Sequence, residues 1–392
     1  MRIPINSWFP RCSALLVWVC LASCFARGAT QPHYLITNDD GVFGNSVTFY
    51  TIGSNGVLTL TGQVQTAGFG IGGGFFSANR VTFLNISGNE CVYASDAATG
   101  DIVGVDVTTM AVGGSASGST ADSGAANGIG LSMNSQYLYA SYTGSNTIAT
   151  FQVQPGCNLT FVNDTPVIGL QAGFIDGTAI HGNLLVVTYG DGSIESFNIA
   201  SGPPVSNNDE QNSTGYVRSL GVAYPNGVEI TKDGHYAIFG DTSTSTVVEV
   251  SDISTGKLNT TVVYTLGTDI SSSNIILSPD ETLLYISNTQ GDKVTAAFLN
   301  QSTGKVTPGC ASGNLRGLSS KWSYLAALAL DTNAGTGGAI YVAEFGAPSY
   351  IGMVSVSSSA GKCTLQEFPS SPLSGANSSG LLSIGTFPPR SF

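Results

Sequence analysis

The chain has 392 residues, of which 42% are hydrophobic and 10% charged, with 50 glycines and a formal net charge of −12. So much apolar material builds a sizeable core and excludes a disordered chain. The composition is not the Glu, Lys and Leu of a coiled coil, and the acidic balance excludes a nucleic-acid partner, which needs a basic face.

Residues 1–23 read as a signal peptide. Arg2 and Arg11 give a positive start, and Ser13 to Ala22 is an apolar run too short to span a bilayer. Leu21-Ala22-Ser23-Cys24 matches a lipobox, which makes Cys24 a candidate lipidation site and first mature residue. Cys24-Phe25-Ala26 offers small residues for ordinary cleavage and free secretion instead. Either route predicts an exported protein, either a cell-envelope lipoprotein or a secreted or periplasmic one. Any membrane contact is then through a lipid anchor. Residues 24–32 read as a short linker. Four cysteines follow, Cys91, Cys157, Cys310 and Cys363, with no CxxC pair among them. One or two disulfides in an oxidising compartment is the expectation, with connectivity open among three pairings.

A four-residue pattern then recurs seven times: Leu35–Asn38 (LITN), Tyr93–Asp96 (YASD), Tyr139–Tyr142 (YASY), Val186–Tyr189 (VVTY), Ile238–Asp241 (IFGD), Tyr285–Asn288 (YISN) and Tyr341–Glu344 (YVAE). The starts lie 58, 46, 47, 52, 47 and 56 residues apart, the length of a four-stranded propeller blade. Each unit reads as an apolar first strand, a turn such as Ser278-Pro279-Asp280-Glu281, the four-residue pattern as second strand, an alternating third strand such as Ile148–Val153, a Thr-Gly or Ser-Gly turn, and an outer strand. The first pattern, at Leu35, has no first strand before it. The missing copy is Gly380–Gly385, near the C-terminus, so this segment should pair with Leu35 and close the ring. The expected fold is all-β: a seven-bladed β-propeller over residues 33–388, with 389–392 as a tail.

The YISN and YVAE units, after SPDE- and TKDG-like turns, resemble the YVTN repeats of seven-bladed propellers, the architecture that also holds the lactonases similar to 6-phosphogluconolactonase. The resemblance spans about residues 33–388 and implies lactone hydrolysis as one activity. The family's Gly-Pro-Arg-His stretch stands here as Ala223-Tyr224-Pro225-Asn226, without Arg or His. Its Ser-Asn-Arg-Gly stretch stands as Ser287-Asn288-Thr289-Gln290-Gly291. Catalytic candidates are then Arg218, Arg316, Arg80, Asp176 and Glu344, on condition that loops bring them together to activate water and stabilise an oxyanion.

Loops after second strands and loops entering first strands share one face, here called upper; turns after first strands share the lower face. Matching positions at the first-strand entries read Asn127, Asp176, Asn226, Ser273, Ala326 and Ser378. The second strands end in Asn38, Asp96, Asp241, Asn288 and Glu344. Such a polar, mildly acidic ring suits a cation, a sugar or a peptide, and it also satisfies strand-end backbone groups and ordered water. Trp322, beside Arg316 and Lys321, offers a stacking surface on the same face. His181 and His235 fall in lower-face turns. No histidine pair has metal spacing, and neither a metal nor a cofactor is expected. Asn38-Asp39-Asp40-Gly41 lacks the spaced ligands of a calcium loop. Gly68–Gly73 fits G-x-G-x-x-G without the βαβ context and reads as a flexible loop.

The leading expectation is a non-catalytic binding or interaction module of the cell envelope, taking a small molecule, carbohydrate or protein at the channel face. Candidate binding residues are Asn127, Asp176, Asn226, Asp241, Asn288 and Trp322. The alternative is a sugar-lactone hydrolase. A third reading, a purely structural envelope protein, predicts a channel filled by side chains.

Overall fold

The computed structural model describes residues 33–72, 80–86, 88–119, 128–167, 175–190, 192–209, 211–212, 225–242, 245–259, 261–268, 272–288, 291–317, 324–331, 338–345, 349–359, 361–375 and 383–389. Residues 1–32, on which the expected signal peptide, linker and Cys24 fall, lie outside these residues.

Seven antiparallel sheets form a seven-bladed propeller. From the innermost strand outwards, blade 2 is Val81–Ile86, Asn89–Asp96, Asp101–Asp106 and Ala111–Ser117. Blades 3 to 7 repeat this order, with inner strands Ile129–Met133, Ile175–His181, Pro225–Ile230, Ser272–Leu277 and Tyr324–Asp331. Blade 1 is assembled from both ends of the domain. Its inner strand is Ser383–Phe387, which pairs with Tyr34–Asn38 in the register Leu35↔Thr386 and Ile36↔Gly385. The ring closes as the repeat count requires.

All seven four-residue patterns are second strands. They are buried on both sides because each blade is sandwiched between two others, so Leu184–Tyr189 and Leu283–Asn288 are buried throughout. Outer strands are largely exposed, as in Leu58–Gln65, where Leu58 alone is buried. The hydrophobic clusters follow this layout, each lying between two successive blades. Ile36, Phe49, Val92 and Val103 fill the space between blades 1 and 2, and Leu283, Leu325, Ile340 and Val354 that between blades 6 and 7.

Two of the tyrosines that open a pattern pin the next blade. Tyr139 Oη donates to Gly202 O at 2.8 Å, joining blades 3 and 4, and Tyr341 Oη donates to Gly56 O at 3.0 Å, joining blades 7 and 1. Both disulfides are also staples between blades: Cys91–Cys157 joins blades 2 and 3, and Cys310–Cys363 joins blades 6 and 7. The Gly68–Gly72 loop is not the flexible loop that its composition predicts. Gly68 O accepts from Asn45 N, Gly70 N donates to Gly41 O, and Ile71 N donates to Asp40 Oδ1, so the loop is laid down on blade 1.

Candidate functional site

The upper face is shaped by a defect that recurs in four blades. The inner strand slips register at its upper end between Ile175 and Thr178, Pro225 and Val228, Ser272 and Ile275, and Leu325 and Ala327. Such bulges re-aim side chains at the rim of a sheet. The sequence-aligned rim positions Asp176, Asn226, Ser273 and Ala326 fall inside them. Asp176 and Asn226 are buried. Gly177 lies against blade 5 so closely that a Cβ there would sit 2.0 Å from Asn226 O. Thr188 Oγ1 bridges the two blades, accepting from Gly177 N at 2.8 Å and donating to Asn226 O at 3.3 Å. Asp241, also buried, ends the second strand opposite Pro225, next to Asn226. The structure thus brings Asp176, Asn226 and Asp241 together where blades 4 and 5 meet.

The remaining candidates are dispersed. Asn288 is held between blades 5 and 6, where its Oδ1 accepts from Thr246 Oγ1 at 3.2 Å and its Nδ2 donates to Thr295 Oγ1 at 2.6 Å. Arg316 lies at the outer edge of blade 7, with Nε 3.1 Å from Glu367 Oε2 and its terminal nitrogens on the carbonyls of Phe368 and Pro369. Arg80 is buried at the entry to blade 2, 2.8 Å from Asp40 Oδ2, with its guanidinium against Gly128 of blade 3. Burial pulls its pKa down and Asp40 holds it up. Asn127, Arg218 and Trp322 lie outside the described residues.

Two carboxyls stand out chemically. Glu344, at the end of the second strand of blade 7, is 1% exposed and makes no hydrogen bond among the described residues. It lies against Gly317 and Gly352, where a Cβ would come within 1.7 and 2.3 Å of its oxygens. Burial first, then the nearby charges of Glu367 and Asp292, push its pKa up to about 8. Asp96 is raised to about 6 by burial, although Asn45 Nδ2 and Thr66 Oγ1 donate to its Oδ1 at 2.7 and 2.8 Å. Its Oδ2 has no partner among the described residues.

The acidic pair of blade 1 divides its work. Asp39 accepts from the Thr37, Ser46 and Thr48 hydroxyls and from Gln63 Nε2, all within its own blade. Asp40 turns to Arg80. The sequence carries no sign of this division, since the residues are neighbours in one turn. Glu249 is a buried carboxyl that the sequence reading missed. Its signal was a charge at an inward position of the alternating run Val247-Val248-Glu249-Val250. On the lower face, His181 is the last residue of the inner strand of blade 4, paired with Leu184 across the turn rather than within it, and His235 Nδ1 is 2.8 Å from Asp233 Oδ2 in an exposed pair. Among the described residues, no cluster of His, Cys, Asp and Glu could hold a metal ion.

No protein-family model matches the chain, and no curated protein does. Solved structures match its fold. A protein of Bacteroides fragilis provisionally assigned as a 6-phosphogluconolactonase superposes with a TM-score of 0.65 at 15% identity, covering 91% of this chain and 99% of its own. The periplasmic gluconolactonase of Pseudomonas aeruginosa gives 0.53 at 14% identity, over 72% of this chain and 82% of its own. The β-propeller domain of Cps50 from Myceliophteria thermophila gives 0.54 at 12%, over 75% and 87%. At these identities the likeness establishes the architecture, a seven-bladed propeller, and no activity.

Proposed function

We propose that the protein is an exported binding module whose upper face takes a donor-rich ligand, either hydroxylated or cationic. One observation carries the reading. Glu344 and Asp96 keep carboxyl oxygens buried at the ends of second strands with no hydrogen-bond partner among the described residues. Burying such a group without a partner costs about 1–3 kcal/mol, and a ring built only for stability gains by placing apolar groups there. The acidic composition and the convergence of Asp176 and Asp241 fit the same ligand class. Export is supported by the two disulfides, which persist in oxidising compartments. The test is calorimetric titration of the protein with a panel of neutral and amino sugars. Binding lost on Asp96→Asn plus Glu344→Gln supports the reading, and affinity unchanged in that folded variant refutes it.

Glu344 also favours a second reading, lactone hydrolysis. A carboxyl protonated at neutral pH can donate to the leaving oxygen of an opening ring. Two of the structural neighbours are described as lactonases, one of them provisionally. Turnover of glucono-1,5-lactone above its spontaneous rate, lost in Glu344→Gln, would establish it. No excess over the spontaneous rate removes it.

A further inference from the structure

At two junctions between blades, a tyrosine of one blade covers a turn of the next on the lower face. The turn Ser302-Thr303-Gly304-Lys305 joins the third and outer strands of blade 6 and bends at Gly304, whose φ is +64°. The ring of Tyr236, from blade 5, lies on that glycine, so that a Cβ there would sit 2.7 Å from Tyr236 Cε1. Tyr236 Oη donates to Ser302 O at 3.4 Å. In blade 4 the turn glycine is Gly202, with φ +96°, and Tyr137 of blade 3 covers it in the same way, with its Cζ 3.0 Å from where a Cβ would stand. Tyr137 and Tyr236 occupy one position of the repeat, two residues before the four-residue pattern.

Blade 5 repeats the blade 6 turn letter for letter, as Ser254-Thr255-Gly256-Lys257, and Gly256 has a similar φ of +80°. The covering position, in blade 4, is Leu184 instead of tyrosine. Leu184 packs into the cluster between the two blades beside Ile253, and a Cβ on Gly256 would meet nothing within 4 Å. Blade 4 also turns more tightly here. His181 pairs with Leu184 across two residues, whereas Ile230 pairs with Ala237 and Leu277 with Leu284 across six. The absent ring and the short turn leave a cavity of about 310 Å³ lined by Leu184, Ile253, Ser254 and Gly256. The exposed Asn198 is also in its lining, so it opens to solvent. Leu283 holds the same position in blade 6, but there Cys310–Cys363 ties the adjoining blades, and neither disulfide joins blades 4 and 5.

We propose that this notch binds a small phenol, which supplies the ring that the sequence omits. The ring lies on Gly256 between Leu184 and Ile253, and the hydroxyl donates to Ser254 O as Tyr236 donates to Ser302 O. An apolar cavity of about 150 Å³ already holds benzene, so the volume here admits a substituted ring. The site lies on the opposite face from Glu344 and Asp96, and it stands or falls independently of the function proposed for them.

The test is calorimetric titration of the folded protein with p-cresol, the tyrosine side chain as a free molecule, and with toluene, which has the ring without the hydroxyl. The expected result is saturable binding of p-cresol, with toluene about fivefold weaker for want of one hydrogen bond. Leu184→Tyr restores the ring that blades 3 and 5 carry and should abolish p-cresol binding. If that variant fails to fold, Gly256→Asn takes its place. Asparagine tolerates a positive φ, and its side chain would stand where the guest ring lies, so p-cresol should bind several-fold more weakly. Three results would overturn the proposal: no saturable heat from p-cresol, toluene binding as tightly as p-cresol, or p-cresol affinity unmoved by the folded variant.

Discussion

A carboxyl buried in the folded ring and hydrated in the unfolded chain couples stability to pH. Glu344 ionises near its ordinary 4.5 when unfolded and near 8 when folded. The folded state therefore holds this proton more tightly. Its contribution is fully present below about pH 4.5 and is lost as pH rises to about 8, at about 1.4 kcal/mol per pH unit. Asp96 acts in the same sense over a narrower window, from 3.8 to about 6. Glu344→Gln is uncharged throughout. Its unfolding free energy in denaturant should change less than the wild type's between pH 5 and pH 8, and it should be the more stable protein at pH 8. Parallel pH profiles would show that Glu344 is not the titrating group. The sequence places Glu344, Asp96, Asp176 and Asp241 at strand ends, because the repeat fixes their positions. It does not reveal their burial or protonation. Those depend on what the next blade and the connecting segments bring against them, as Gly317 and Gly352 do for Glu344. Neighbours such as Asp39 and Asp40 cannot be told apart by local pattern, since their partners lie in different blades.

Blades are joined mainly by packing, and the few covalent and polar links between them can be tested singly. Cys310–Cys363 ties outer strands of blades 6 and 7 across 53 residues of sequence. By loop entropy such a bond is worth about 4 kcal/mol, and removing a native one typically costs about 2–5 kcal/mol. Cys310→Ser plus Cys363→Ser should lower Tm under non-reducing conditions, and reductant should lower the wild type's Tm but leave that of a variant lacking all four disulfide cysteines unchanged. A Tm unmoved by the substitution would mean that packing alone holds blades 6 and 7. Tyr341→Phe removes the bond to Gly56 O and leaves that carbonyl with one partner fewer, a loss of about 1–2 kcal/mol in denaturant unfolding. Tyr236→Phe makes a useful comparison, because the 3.4 Å contact of Tyr236 with Ser302 O is longer and exposed, so the smaller loss should fall there. At this scale the sequence is most informative. The strands, the turns and the closing segment follow from alternation and repeat length. The bulges of blades 4 to 7 do not; at that of blade 4 the Thr188 hydroxyl joins Gly177 N to Asn226 O of the following blade, a contact that no pattern within the strand announces.

The molecule as a whole is one closed circuit, and blade 1 is where it is joined. Deleting residues 383–392 would strip Tyr34–Asn38 of its inner partner and remove the Thr386 hydroxyl from Leu330 O, opening the ring between blades 7 and 2. Size-exclusion chromatography and circular dichroism should then show aggregation or a broad, non-cooperative melt. A monomer melting near the wild-type temperature would show that closure is dispensable. The same joint sets a clock for biosynthesis. About 350 residues separate Asn38 from Phe387, and at about 5–20 residues per second a ribosome needs roughly 17–70 s to make them. Through that interval the oldest strand of the domain waits with a bare edge for a partner that does not yet exist. The first blade is thus the last to be completed, and until the final strand leaves the ribosome the nascent chain carries an open sheet edge of the kind that invites unwanted pairing.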